Sequence, residues 1–215
     1  KILSQEELNK ELTRYSIKST PKNTTLFDVL WNPAILLYDY QLECLEKATE
    51  LFLETPKLIL NWTCGLGKTI TSLRISSYFV SNRLLVGVPS ILLLKQWLKQ
   101  IETIRFYNRY KILIICSSTK KEREIIVDII NQSPKNRCLI TTNKHKISTF
   151  IKSNNKYIVI TLYQSSHILH ELYTENNIKK EFEFSILDEC HHLCKWLDNK
   201  TNRQNTDILQ IPTKK

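Results

Sequence analysis

The sequence has no methionine, three glycines among 215 residues, and 21 acidic side chains against 31 basic ones. Each shortage narrows the reading. Without Met even at position 1, Lys1 is not expected to be the natural start. So few glycines make their positions informative, because glycine marks places where the backbone needs unusual freedom. The acidic deficit leaves a formal charge of +10 and favours polyanionic partners, nucleic acid first and anionic membrane surfaces second. No apolar run approaches the ~20 residues of a membrane helix. The greasiest stretch, around 91–94, is broken by Lys95. No secretory leader pattern opens the chain. Internal repeats and low-complexity tracts are absent as well.

What is present has the proportions of a globular domain: 42% hydrophobic and 24% charged residues, which argues against wholesale disorder. The length suits one generous domain or one domain with a short appendage. Cys44, Cys64, Cys116, Cys138, Cys190 and Cys194 lie mostly inside or beside apolar runs, as reduced thiols do. A reducing intracellular compartment, cytoplasm or nucleus, is therefore expected. Asn61-Trp62-Thr63 matches a glycosylation sequon but runs into a phosphate loop and is read as chance. The wealth of Lys, Asn and Ile suggests an AT-rich genome, viral or protist-like.

Along the chain, Ser4 and Glu7 have capping-box spacing and open a short helix over 4–12. A polar connector follows at 18–23. Leu42, Leu45, Ala48 and Phe52 share the face of a second helix over 40–53. Strands and helices then alternate. Strands are expected over 57–62, 83–88, 111–116, 137–141, 157–161 and 182–187. Helices are expected over 68–80, from about 91 to 101, and over 120–130, 144–152 and 164–173. Apolar, β-branched runs separated by helices indicate an α/β fold, a mostly parallel sheet with helices on both faces. Ligands of such sheets sit at the carboxyl ends of the strands.

Two of the three glycines fall in Thr63-Cys64-Gly65-Leu66-Gly67-Lys68-Thr69, between an expected strand and an expected helix. Backbone N–H groups can converge on a phosphate only where no side chain intervenes, which explains Gly65 and Gly67. The helix that follows aims its positive end at the same anion. Lys68 can reach the β- and γ-phosphates of ATP, and the Thr69 hydroxyl can ligand Mg²⁺. The usual opening glycine of this loop is replaced by Trp62. The strand candidate over 182–187 ends in Asp188-Glu189-Cys190-His191-His192. A carboxylate at a buried strand end suits Mg²⁺, held directly or through water, and Glu189 can orient and deprotonate an attacking water.

With the Gly65–Thr69 loop, Asp188-Glu189-Cys190-His191 resembles the DExH box of superfamily 2 helicases and translocases. The absent first glycine also leans towards that superfamily over kinases and small GTPases. Three further stretches are similar to its motifs: Tyr38-Asp39-Tyr40-Gln41; Val88-Pro89-Ser90 with Leu94, Gln96 and Trp97; and Thr161-Leu162-Tyr163-Gln164-Ser165, the last resembling restriction-enzyme and repair-type members.

The resemblance implies the first RecA-like lobe, a P-loop domain over 31–215 behind an N-terminal helical extension at 1–30. It implies that Gln41 reads the adenine, that Lys68, Thr69, Asp188 and Glu189 serve ATP and Mg²⁺, and that His191 couples the nucleotide site to later motifs. Ser90 and Thr161 would touch nucleic-acid phosphates, which positions a strand without reading its sequence. The partners implied are DNA or RNA and a second RecA-like lobe of the same parent chain, whose arginines reach the γ-phosphate. No Ser/Thr-Ala-Thr element follows Asp188, so the chain is expected to be a fragment with weak or no turnover alone.

Bland readings stand beside these. Lys120, Lys121, Arg123, Lys144 and Lys146 are expected mostly as solvated helix faces. Trp97 and Tyr163 are expected to be packing residues. Zinc at Cys190, His191, His192 and Cys194 is disfavoured, because those ligands overlap the box and no Cys-x-x-Cys pair completes a site. The rival functions are a P-loop NTPase unrelated to nucleic acid and a non-catalytic scaffold lobe.

Overall fold

The computed structural model describes residues 37–79, 82–117, 124, 137–175, 178–191, 193 and 207–213. The helices expected over 4–12 and 120–130, the connector at 18–23 and the extension at 1–30 lie outside them.

Five α-helices and five strands are assigned among the described residues: α1 (Asp39–Glu54), α2 (Lys68–Tyr78), β1 (Arg83–Val88), α3 (Ile91–Thr103), β2 (Lys111–Ile115), β3 (Cys138–Ile140), α4 (Lys144–Ser153), β4 (Tyr157–Leu162), α5 (Ser166–Thr174) and β5 (Phe184–Leu187). The strands form one sheet in the order β3-β2-β4-β1-β5. Every pairing is parallel. Successive strands therefore need crossovers, and α3, α4 and α5 lie in those that follow β1, β3 and β4.

The alternation of side chains sorts the core into two layers. Leu84, Val86, Ile158 and Ile160 face α1, α2 and α3 through Phe52, Leu73, Leu94 and Leu98. Leu85, Leu113 and Val159 face α4 and α5 through Ile147, Ile151, Leu169 and Leu172. β4, central in the sheet, is buried along its whole length, as a strand covered on both faces must be. The expected α/β architecture is thus the observed one.

Two expectations need correction. Residues 57–62 are not a strand. No ladder partner is assigned to them among the described residues, and Ile59 is 82% exposed. An apolar run with no neighbouring strand to bond has nothing to hold it in a ladder. The buried face of α1 is Gln41, Ala48 and Phe52, with Leu45 packed beside them. Leu42, expected there, is 42% exposed. The polar Gln41 takes the inner position because the Gly65–Thr69 loop lies against it and offers the Leu66 carbonyl.

Candidate nucleotide site

The carboxyl ends of β1, β4 and β5 lie side by side, since Gly87 pairs with both Thr161 and Leu187. The Gly65–Thr69 loop joins them through its lysine. Lys68 Nζ donates to the Trp62 carbonyl at 3.0 Å and lies 3.6 Å from Glu189 Oε1. Glu189 Oε2 is 3.3 Å from His191 Nδ1. Residues 121 positions apart in sequence thus form one charged cluster, with Glu189 bridging a cation and an imidazole.

Glu189 also has φ of +50°, in the left-handed region. That conformation costs a side-chain-bearing residue roughly 1–2 kcal/mol. It turns the chain sharply after β5, and the strain sits at the residue expected to address water.

Gly65 and Gly67 are left-handed too, at φ +88° and +77°. A Cβ on Gly65 would meet nothing within 4 Å, so that glycine answers to conformation alone. A Cβ on Gly67 would lie 2.4 Å from Gln41 Nε2. Gly67→Ala is therefore expected to combine about 1–2 kcal/mol of backbone strain with expulsion of Gln41. Thermal unfolding should show the loss and nucleotide titration a weakened site, and an unchanged melting curve would contradict the geometry.

Gln41 is 3% exposed and its amide is engaged at both ends. Nε2 donates to the Leu66 carbonyl at 3.0 Å, and Oε1 accepts from the Tyr38 N–H at 3.0 Å. Tyr40 adds its hydroxyl to the same carbonyl at 3.2 Å. In this structure Gln41 bolts the loop to the start of α1 through one amide donor and one lone pair of its carbonyl oxygen. Tyr38 stacks on Tyr40, which meets the edge of Trp62.

Ser90 caps α3, its Oγ accepting from the Leu93 N–H at 3.4 Å, and stays exposed. Thr161 is fully buried, with its hydroxyl on the Leu162 carbonyl. The structure thus separates the two residues assigned to nucleic acid: Ser90 can be reached from outside, whereas Thr161 is held inside the sheet. Thr69 is half-buried in the first turn of α2, directly after Lys68.

Two residues read as packing do more. Trp97 and Tyr163 are indeed buried, at 1% and 0% exposure. However, the Trp97 indole donates to Asp188 Oδ2 at 2.8 Å, and the Tyr163 hydroxyl donates to the Asp188 carbonyl at 2.6 Å. Burial, with Cys190, Asp188 and Glu189 nearby, raises the Tyr163 pKa far above its ordinary value. The hydroxyl stays protonated and acts as a fixed donor. The available signal was their placement, Tyr163 directly behind β4 and Trp97 on the helix that follows β1.

The Type III restriction enzyme res subunit model matches residues 34–210. The chain belongs to that family. The "Probable helicase A859L" of African swine fever virus (isolate Tick/Malawi/Lil 20-1/1983) is 26% identical over 155 residues, covering 72% of this chain and 16% of the relative. The corresponding protein of isolate Pig/Kenya/KEN-50/1950 is 28% identical over 156 residues, again 72% and 16%. The chain thus spans 16% of the length of these curated relatives. Among solved structures, a nuclease-deletion mutant of the Type ISP restriction-modification enzyme LlaGI, in complex with a DNA substrate mimic, superposes with a TM-score of 0.59. It is 26% identical, and the match covers 84% of this chain and 17% of that one. The fold is accordingly RecA-like, and the kinship is with helicase-type proteins of superfamily 2. Among the described residues no helix is long and apolar enough to cross a membrane.

Proposed function

We propose that this family member is the ATP-binding lobe of a nucleic-acid-dependent ATPase that unwinds or translocates along DNA or RNA. Asp188-Glu189-Cys190-His191 is its DExH box. The observation that carries this reading is the approach of Lys68 to Glu189, 3.6 Å apart. It brings the phosphate loop and the acidic pair together where in-line attack on a γ-phosphate would occur. Gly65 and Gly67 leave backbone donors free to cradle phosphates, while α2 directs its positive end at them. Lys68 trades its Trp62 carbonyl for phosphate oxygens. Glu189 orients water and accepts its proton, steadied by His191.

The donor set suits Mg²⁺: a Thr69 hydroxyl and an Asp188 carboxylate, hard oxygens that would share the ion with nucleotide phosphates. No cluster of three or more His, Cys, Asp or Glu capable of holding a metal occurs among the described residues. Mg²⁺, when bound, would neutralise charge developing on the phosphates. A second RecA-like lobe supplying arginine completes the machine, and without it turnover is expected to be slower by about 10³ or more. DNA is the track favoured by the restriction-enzyme neighbour, which was solved with a DNA substrate mimic.

The test is ATP hydrolysis by the protein with its second lobe in place, alone and with single-stranded DNA, duplex DNA or RNA. One polymer should stimulate turnover, and the stimulation should fall steeply between about 50 and 200 mM salt as phosphate contacts are screened. Turnover indifferent to every polymer would replace this reading with a plain NTPase.

A further inference from the structure

Asp188 is the only residue of the acidic pair whose position is set by two other elements through side-chain hydrogen bonds recorded among the described residues. Trp97 stands on α3, two turns beyond its Ser90 cap, on the same inner face as Leu94, Leu98 and Ile101. Its indole N–H reaches Asp188 Oδ2 at 2.8 Å, across 91 residues of sequence. Tyr163, directly behind β4, fixes the carbonyl of the same residue. An indole has one donor and no acceptor, so it serves a carboxylate without exchanging protons with it. Holding Oδ2 restrains the rotation of the carboxylate.

We infer that Trp97 is a positioning residue that orients the Asp188 carboxylate towards a magnesium-bound nucleotide, with Tyr163 anchoring the backbone beneath it. The inference rests on the nucleotide-site reading above and extends it to residues outside the loop and the acidic pair. Its physical content is pre-organisation: a carboxylate already restrained in one rotamer binds a cation without first losing that freedom. A purely structural tryptophan would support metal-free and metal-bound nucleotide equally. A positioning tryptophan supports only the second.

The distinguishing measurement uses this chain and a fluorescent N-methylanthraniloyl ADP, titrated with and without Mg²⁺. The readout is the ratio of the two dissociation constants. Trp97→Phe removes the N–H. Replacing Trp97 with 3-benzothienylalanine, in which sulfur stands for the N–H, removes it while preserving the ring outline, so packing failure in the Phe variant does not end the test. Tyr163→Phe probes the anchor.

Loss of a hydrogen bond to a charged group should reduce the magnesium-dependent gain by about tenfold in both Trp97 variants. Tyr163→Phe should reduce it less, and metal-free affinity should stay within about twofold of wild type throughout. An unchanged gain in the benzothienyl variant would overturn the inference. So would equal weakening with and without Mg²⁺, or a wild-type chain showing no magnesium-dependent gain. Lys68→Ala separates the two levels: if it leaves nucleotide affinity untouched, the nucleotide-site reading itself has failed.

Discussion

Lys68→Ala is expected to bring nucleic-acid-stimulated ATP hydrolysis down by about 10²–10³-fold or more, the cost of removing one positioned donor from developing charge. The nucleotide-free geometry says why the protein should survive the change. Lys68 is tied to the Trp62 carbonyl and Glu189, but the side chains of the pair are 25% and 26% exposed. A partly solvated pair contributes at most about 1 kcal/mol. Loss of activity should therefore come with an almost unaltered melting temperature.

Glu189→Gln provides the contrast. It keeps the size of the side chain and removes the base, so hydrolysis should fall by about 10²–10⁴-fold while nucleotide still binds. Lys68→Ala should raise KM and lower kcat, whereas Glu189→Gln should lower kcat alone. Steady-state kinetics beside nucleotide titration makes the comparison. Full activity in Glu189→Gln would remove this residue from the proton-transfer role.

The second large effect is expected far from the phosphate loop, at the third glycine. Gly87 lies in β1 and its carbonyl accepts the Asp188 N–H at 2.9 Å. A Cβ there would stand 2.3 Å from Ile208 Cδ1, 2.8 Å from Tyr163 Cε1 and 3.0 Å from Leu187 Cδ2. These neighbours are packed in the buried layer beneath the site, where an added carbon forces strain costing about 1–3 kcal/mol. Gly87→Ala should lower the melting temperature by roughly 2–4 °C per kcal/mol for a chain of this size, and Gly87→Val by more.

The ring of Tyr163 is among the first atoms to give way, so its hold on the Asp188 carbonyl should loosen with it. Hydrolysis should consequently fall further than the melting shift alone explains at a temperature where the variant remains folded. A Gly87→Val protein with wild-type melting and wild-type turnover would show that the packing beneath Asp188 is slack. Strand propensity alone would have ranked valine above glycine at this position. The reversal comes from what stands opposite.

The Gly65–Thr69 loop and the Asp188-Glu189 pair stood out in the sequence as candidates because the chemistry proposed for them is local. Gly65, Gly67, Lys68 and Thr69 are neighbours in sequence, and a phosphate needs their residue types in that order. The Asp188-Glu189 pair closes a strand whose apolar pattern is visible on its own. The alternation of β1 to β5 with their helices was equally readable, since burial on both faces writes continuous apolar runs.

Residues 57–62 show the limit of that pattern. Their composition is that of a strand, but a strand exists only when another offers it hydrogen bonds.

Trp97 and Tyr163 show a second limit. An indole or phenol inside an apolar stripe is indistinguishable from packing until the fold brings a carboxylate or carbonyl to its polar tip. For Trp97 that partner lies 91 residues away. Gln41 is a further case, since the resemblance implied a role at the adenine and gave no sign of its hydrogen bonds to Leu66 and Tyr38. The sequence by itself determined which chemical groups this protein carries and the class of sheet that presents them. Only the tertiary structure decided which buried donors hold Asp188, because hydrogen bonds between distant residues depend on three-dimensional registry that no local pattern contains.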